Sequence, residues 1–90
     1  MPNWRSPEFD WDEGNIDHIV DGHDVYPEEV EAVFRNYARV VRRGNRYVAM
    51  GQDGGGRYLL IVFEMRGHRI RVVTASPMKD AERRSYERKR

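Results

Sequence analysis

The most restrictive feature of the sequence is one apolar run in its second half. Residues 57–65 read RYLLIVFEM, with apolar side chains at consecutive rather than alternate positions. A strand with this pattern buries both of its faces, so it belongs inside a sheet and not at an edge. The chain is therefore predicted to build its sheet around this strand.

Further strands are predicted on both sides of the central run. Before it, ARVVRR and RYVAMGQD flank a turn at Gly44-Asn45, and the glycine-rich stretch at 53–57 is interpreted as a hairpin tip. That stretch lacks the lysine and the following helix that a phosphate-binding loop requires. After the central run, RGHRIRVVTA forms the last strand, which Pro77 ends.

The register of the last hairpin follows from where its turn is placed. A tight turn at Arg66-Gly67 makes Glu64 face Arg69 and Val62 face Arg71. Arg69 and Arg71 are two residues apart, so both are predicted to point to the face opposite Ile70.

Helices are predicted before and after these strands. Ile16, Ile19 and Val20 follow the N-capping Asp12 at helical spacing, and PEEVEAVF forms a second helix with proline in its first turn. Phe9 and Trp11 alternate with acids in a short first strand, and residues 79–90 form a basic closing helix. The order β-α-α-β-β-β-β-α predicts a single α+β domain over residues 1–90. It has two layers: an antiparallel sheet with both N-terminal helices on one face.

Charge is divided sharply along the chain. Residues 1–34 hold ten acids and one base, a net charge of −9, whereas residues 35–90 hold fifteen bases and five acids, a net charge of +10. The two halves could neutralise each other within the fold. The basic part could also form a surface for nucleic acid or for an acidic partner.

Composition excludes several classes of function. The sequence has no cysteine, so thiolate chemistry and disulfides are absent, and no apolar run approaches the length of a membrane span. Its three histidines are scattered without the spacing of metal ligands, so neither a metal nor another cofactor is predicted. We expect a cytoplasmic protein with no membrane partner.

Three stretches resemble one known family. Residues 9–34, FDWDEGNIDHIVDGHDVYPEEVEAVF, look like the N-terminal signature of BrnT-type toxins, in which a Trp-Asp pair precedes an Asn, a His, a Val and a Glu-Glu helix. Residues 46–75 are similar to that family's central block, and ERRSYER at 82–88 resembles its closing helix. The resemblance implies a RelE-like fold, a metal-independent endoribonuclease that cleaves RNA, and a cognate BrnA-like antitoxin.

The sequence departs from that family at two positions. Ser76 stands where the last strand of the family usually ends in arginine, and Met65 stands where a glutamate often precedes the hairpin arginine. Glu64 lies one position earlier, on the opposite face of a strand. These departures motivate an alternative: a catalytically inactive relative that keeps only antitoxin or nucleic-acid binding.

Candidate catalytic residues follow from the chemistry of RNA cleavage without a metal. The 2′-hydroxyl must lose a proton, the phosphate must be stabilised, and the leaving oxygen must be protonated. Arginine pairs bidentately with phosphate, so we assign that task to Arg57, Arg69 and Arg71, and the proton transfers to Glu64 or His23. His23 is a candidate because the family that the sequence resembles has a histidine at this position.

Four further residues are expected to hold substrate. Lys79 and Arg83 lie nearest the end of the last strand, Tyr86 shares that helix, and Trp11 could stack on a base.

Most of these residues also have a purely structural interpretation. Glu64 and Arg69 could form an exposed ion pair, His18 and His23 could pack on the first helix, and Trp11 could anchor the first strand. The closing helix could simply be solvated. A third possibility is a small interaction module whose acidic N-terminal third binds a basic partner.

Overall fold

The elements follow one another in the predicted order. The computed structural model describes Trp4 and residues 6–89, so Arg90 of the predicted closing helix lies outside the described residues. The elements are β1 (Glu8–Phe9), α1 (Glu13–His23), α2 (Pro27–Arg35), β2 (Arg39–Arg43), β3 (Arg46–Gln52), β4 (Tyr58–Arg66), β5 (Arg69–Pro77) and α3 (Asp80–Lys89).

The sheet is mixed, and the prediction of a wholly antiparallel sheet was wrong. Its strand order is β1-β5-β4-β3-β2, which places the apolar run in the central strand β4, as predicted. Strands β2 to β5 form an antiparallel meander, but β1 pairs with β5 in parallel, Glu8 opposite Arg69 and Phe9 opposite Ile70. A parallel pair needs a long connection, and the chain between these two strands provides it.

The turn of the β4–β5 hairpin lies one residue later than predicted. Its loop is Gly67-His68, and Gly67 has a φ of 62°, the positive value that tight hairpin turns require and glycine adopts without strain. Arg66 therefore pairs with Arg69 and Glu64 with Arg71, so the predicted pairing of Glu64 with Arg69 was wrong.

A β-bulge interrupts the same hairpin further along. Phe63 pairs with Val72 but Val62 pairs with Thr74, which leaves Val73 as the extra residue. At the bulge the alternation of buried and outward-facing side chains along β5 shifts by one residue. The buried positions are therefore Ile70, Val72 and Ala75.

The core lies between α2 and one face of the sheet. Val30, Val33 and Phe34 of α2 are fully buried, and the ring of Phe34 meets that of Phe63 edge to face at 5.5 Å between centroids. Gly51 faces Val33 so closely that an added Cβ would lie 3.2 Å from Val33 Cγ1. We call the opposite surface of β2–β5 the outer face.

The two other helices lie at the margins of the sheet. Helix α1 packs along β5 beyond the short strand β1. Helix α3 is attached through Tyr86, 7% exposed, whose ring meets Tyr58 edge to face. Arg83 lies 4.1 Å above the Tyr58 ring, and the Tyr58 hydroxyl donates to Glu87 at 3.0 Å. No helix in the described part of the chain is long and apolar enough to cross a membrane.

Candidate active site

A shallow cleft of about 370 Å³ lies where α1 meets the outer face of the sheet. It brings together the kinds of side chain that transfer protons and bind phosphate: one histidine, one glutamate and two arginines. The residues that line it are Gly14, Asn15, His18, Arg46, Glu64, Arg71, Val72 and Val73.

Strand register places the glutamate and the arginines together. Glu64 is directly opposite Arg71 across the β4–β5 pair, and cross-strand neighbours have Cβ atoms about 5 Å apart. Arg46, at the start of β3, reaches Glu64 from the other side, with Nε 3.8 Å from Oε2. Both members of that pair are substantially exposed, so the pair stabilises the fold by only about 0–1 kcal/mol. Glu64 is therefore flanked by positive charge.

Arg71 is held in place by two aspartates that precede α1. Its Nη1 lies 2.9 Å from Oδ2 of Asp12 and 3.5 Å from Oδ2 of Asp10, and its side chain is only 20% exposed. The hydrogen bond from Arg71, and then that from the backbone of Asn15, hold the pKa of Asp12 below its ordinary value. The bond to Asp12 in turn raises the pKa of Arg71. An arginine has five N–H donors, so Nε and Nη2 can serve another anion.

His18 enters the cleft from α1. Its Nε2 lies 3.2 Å from the hydroxyl oxygen of Thr74, which stands on β5 just after the bulge. The His23 ring meets the His18 ring edge to face, with centroids 5.6 Å apart. His18 is thus oriented from both sides, while its position on the exposed side of the helix leaves it accessible.

The outer face that adjoins the cleft is strongly basic. Its arginines surround a half-buried apolar strip of Val41, Val48, Met50, Leu60 and Val62. From strand register, the charged side chains on this face of the five strands are Arg39, Arg43, Arg46, Arg66, Arg69, Arg71, Glu8 and Glu64. With Asp10 and Asp12, which bind Arg71 from outside the strands, six cations stand against four anions, and this excess of positive charge suits a polyanion.

Three of the residues selected from the sequence lie in or beside the cleft. Glu64 and Arg71 line it, and His23 lies behind His18. Arg69 is on the same face as Arg71 but at the hairpin end, opposite Arg66.

The remaining selected residues lie elsewhere. Arg57 precedes β4 at its far end, seven residues or roughly 20 Å from Glu64, where it binds the carbonyl of Asp24 at 2.9 Å and the carboxylate of Glu29 at 3.3 Å. Trp11 donates to Glu31 at 2.8 Å and stacks on Phe9.

The three residues selected on the closing helix and its approach are grouped near Tyr58. Arg83 and Tyr86 pack on the Tyr58 ring, while the backbone N–H of Lys79 donates to Glu82.

Two of the four ionisable residues that line the cleft, His18 and Arg46, were not selected from the sequence. His18 was interpreted as part of the apolar side of α1, although it follows Asn15 by three residues and shares its side of the helix. Arg46 was hidden because its role depends on pairing: Tyr47 pairs with Phe63, which sets Arg46 beside Glu64. Arg46 could have been identified by predicting the register of the β3–β4 and β4–β5 pairs correctly, because that register places Arg46 and Arg71 on either side of Glu64.

Ser76 lies on the outer face, opposite Leu60. An arginine at that position would therefore project from the same face as Glu64 and Arg71.

Among Trp4 and residues 6–89, no group of three or more histidine, aspartate or glutamate side chains is placed to hold a metal ion.

Comparison with known proteins adds one match. The family model described as "Ribonuclease toxin, BrnT, of type II toxin-antitoxin system" matches residues 11–82, which include every residue that lines the cleft. A search of curated proteins finds no match to the chain.

Proposed function

Because the chain belongs to the family of BrnT ribonuclease toxins of type II toxin–antitoxin systems, we propose that its cleft is the active site of a metal-independent endoribonuclease. The observation that carries this proposal is the convergence of His18, Glu64, Arg46 and Arg71 at one point of a basic sheet face. These four side chains provide a base, an acid and phosphate ligands without a metal.

The residues divide the reaction between them. Glu64 accepts the proton of the 2′-hydroxyl, whose oxygen then attacks the adjacent phosphorus. Arg46 and the free N–H groups of Arg71 neutralise the charge on the equatorial oxygens. The imidazolium of His18 gives its proton to the departing 5′-oxygen. The products are a 2′,3′-cyclic phosphate and a 5′-hydroxyl.

Binding of the RNA chain is assigned to the outer face. Arg39, Arg43, Arg66 and Arg69 contact backbone phosphates on either side of the cleft, and the apolar strip accommodates unstacked bases. In this proposal Arg57 supports the fold through Glu29, and Tyr86 with Arg83 holds α3 near the Tyr58 end of the sheet.

The fold and the partner are proposed from the same family relation. Two helices before an antiparallel meander, followed by a closing helix, support a RelE-like arrangement. The antitoxin that the family implies is proposed to be BrnA-like, a small ribbon–helix–helix protein encoded immediately downstream, and the complex to be cytoplasmic.

Induced expression without the antitoxin tests the proposed function. We expect the wild-type chain to arrest bacterial growth and deplete RNA, and Glu64→Gln, which keeps the shape of the side chain, to abolish both effects. Arg57→Ala is the matched control and should remain toxic. Normal growth and intact RNA in cells that contain soluble wild-type protein would overturn the proposal.

Two observations favour the second candidate, an inactive relative. Arg71 is already neutralised by Asp10 and Asp12, and Ser76 leaves the outer face without the arginine typical of the family. Under this alternative the native chain is harmless and Ser76→Arg makes it toxic. Toxicity of the native chain excludes the alternative.

A further inference from the structure

Asn15 is a buried polar residue that has no role in the proposed reaction. It is 6% exposed and lies in the first turn of α1. Its Oδ1 accepts the backbone N–H of Asp12 at 2.8 Å, and its own N–H donates to Oδ1 of Asp12 at 3.1 Å. These two bonds close the N-terminus of α1 as a capping box.

The other end of the Asn15 carboxamide binds two further segments. Nδ2 donates to the carbonyl of Asp10 at 3.0 Å and to that of Val72 at 3.3 Å. Strand β1 ends at Phe9, and the backbone N–H of Asp10 continues the backbone pairing with β5 by donating to the carbonyl of Ile70. Val72 offers the next carbonyl of β5, so the amide of Asn15 occupies the place that a longer β1 would have filled.

This junction fixes the two halves of the cleft relative to each other. His18 follows Asn15 by nearly one helical turn, and it reaches Thr74, two residues beyond Val72 on β5. Asp10 and Asp12, which hold Arg71, are both bonded to Asn15. A shift of α1 along β5 would move His18 and the partners of Arg71 together.

From these contacts we infer that Asn15 is a positioning residue, whose carboxamide sets the distance between His18 on α1 and the Glu64–Arg71 pair on the sheet. This inference rests on the proposed function for its effect on cleavage. A capping box alone would accept other polar residues at this position. Only a primary amide accepts one hydrogen bond while donating two in this geometry.

Replacement of Asn15 by its isostere tests the inference. Asn15→Asp keeps the acceptor for Asp12 but loses both donors. The substrate is an RNA oligonucleotide spanning a cleavage position mapped with the wild-type protein. We expect kcat to fall about 10- to 100-fold with little change in KM, because misplacement of a catalytic group by about 1 Å costs on that order.

Two further variants separate positioning from stability. Val33→Ala truncates a buried side chain of α2 outside the cleft, so it lowers the melting temperature but should keep kcat. Asn15→Ser replaces the carboxamide and its two N–H donors by one short hydroxyl without burying a charge, and is used if the aspartate variant does not fold. A kcat for the Asn15 variant no lower than that of Val33→Ala would overturn the inference.

A double-mutant cycle identifies the residue through which Asn15 acts. If it acts through His18, the double variant with His18→Ala should cleave no more slowly than His18→Ala alone. If the rate of the double variant instead falls by the product of the two single-variant losses, Asn15 does not act through His18.

A measurement independent of cleavage distinguishes this inference from the proposed function. In an NMR spectrum, contact between the His18 ring and the Thr74 methyl group should be present in the wild type and in Val33→Ala, and lost in Asn15→Asp. If the contact persists in Asn15→Asp, Asn15 is not a positioning residue, even if the protein cleaves RNA. Loss of the contact supports the positioning role even if no RNA is cleaved.

Discussion

Single residues in the cleft depend on partners from distant parts of the chain. Arg71 of β5 is bound by Asp10 and Asp12 of the acidic N-terminal segment, and Glu64 lies beside Arg46 of β3. The acidic first part of the chain therefore neutralises Arg71 and, through Glu29, also Arg57 of the second half. Most arginines of the outer face remain available, so the division of charge in the sequence is only partly compensated within the fold.

The link between Asp12 and Arg71 predicts how stability depends on pH. Arg71 lowers the pKa of Asp12 in the folded state. The ionised Asp12 carboxylate therefore stabilises the fold at every pH above the ordinary pKa of an aspartate. That contribution is lost as the pH falls below about 4 and through the folded-state pKa. Asp12→Asn, which preserves the N-cap, should be less stable than wild type at pH 7, and the difference should vanish towards pH 2.

Denaturant unfolding at pH 7 and at low pH checks this prediction. In an Arg71→Ala background the effect of Asp12→Asn at pH 7 should shrink, because the largest cause of the shift has been removed. An equal effect of Asp12→Asn at both pH values would contradict the account.

Among the elements, α3 depends on a single buried side chain. Tyr86 is the buried residue of this helix, and its ring packs on Tyr58 of β4. Arg83 lies over the Tyr58 ring, and Glu87 accepts a hydrogen bond from the Tyr58 hydroxyl. Removal of the Tyr86 ring should therefore release α3 while the sheet and its core remain folded, since local opening follows from few buried contacts.

Hydrogen exchange tests the attachment of α3. In Tyr86→Ala the amides of residues 80–89 should lose protection and trypsin should cut at Arg83 and Arg84, whereas the amides of β4 stay protected. Tyr86→Phe keeps the ring and serves as the control. Loss of protection across the sheet as well would show that α3 belongs to the same cooperative unit.

The sequence predicted the elements better than their relative placement. The uninterrupted apolar run identified the central strand β4, and its inner residues Leu59, Ile61 and Phe63 are fully buried. The direction of β1 was missed because two residues carry no signal of parallel or antiparallel pairing. Leu60 and Val62 are only half-buried on the outer face, so the second face of β4 is less completely covered than predicted.

The candidate site was harder to predict because it depends on register. Glu64 and Arg71 were both selected from their residue types, but a turn placed one residue too early paired Glu64 with Arg69 instead. The bulge at Val73 further changes which residues of β5 share a face. His18 was missed because its contact with Thr74 joins residues 56 positions apart.

At the scale of the whole molecule, the outer face predicts salt-dependent binding of RNA. Each phosphate contact with single-stranded nucleic acid contributes about −0.7 to the slope of log affinity against log salt. In a Glu64→Gln background, which lacks the proposed base, Arg69→Ala should reduce the slope by about 0.7 to 1.

Arg57→Ala is the matched control for the salt dependence, because Arg57 is bound to Glu29 away from the outer face. Its slope should equal that of the parent protein. A slope that neither substitution changes would indicate that RNA binds elsewhere.

The central claim is that Glu64 is the base of a cleft that cleaves RNA without a metal. The most direct test is cleavage of RNA by the purified protein in EDTA, with analysis of the product ends. We predict 2′,3′-cyclic phosphate and 5′-hydroxyl ends for the wild type, and a rate at least about 100-fold lower for folded Glu64→Gln. Cleavage only after addition of a divalent metal, or an unchanged rate for Glu64→Gln, would contradict the account.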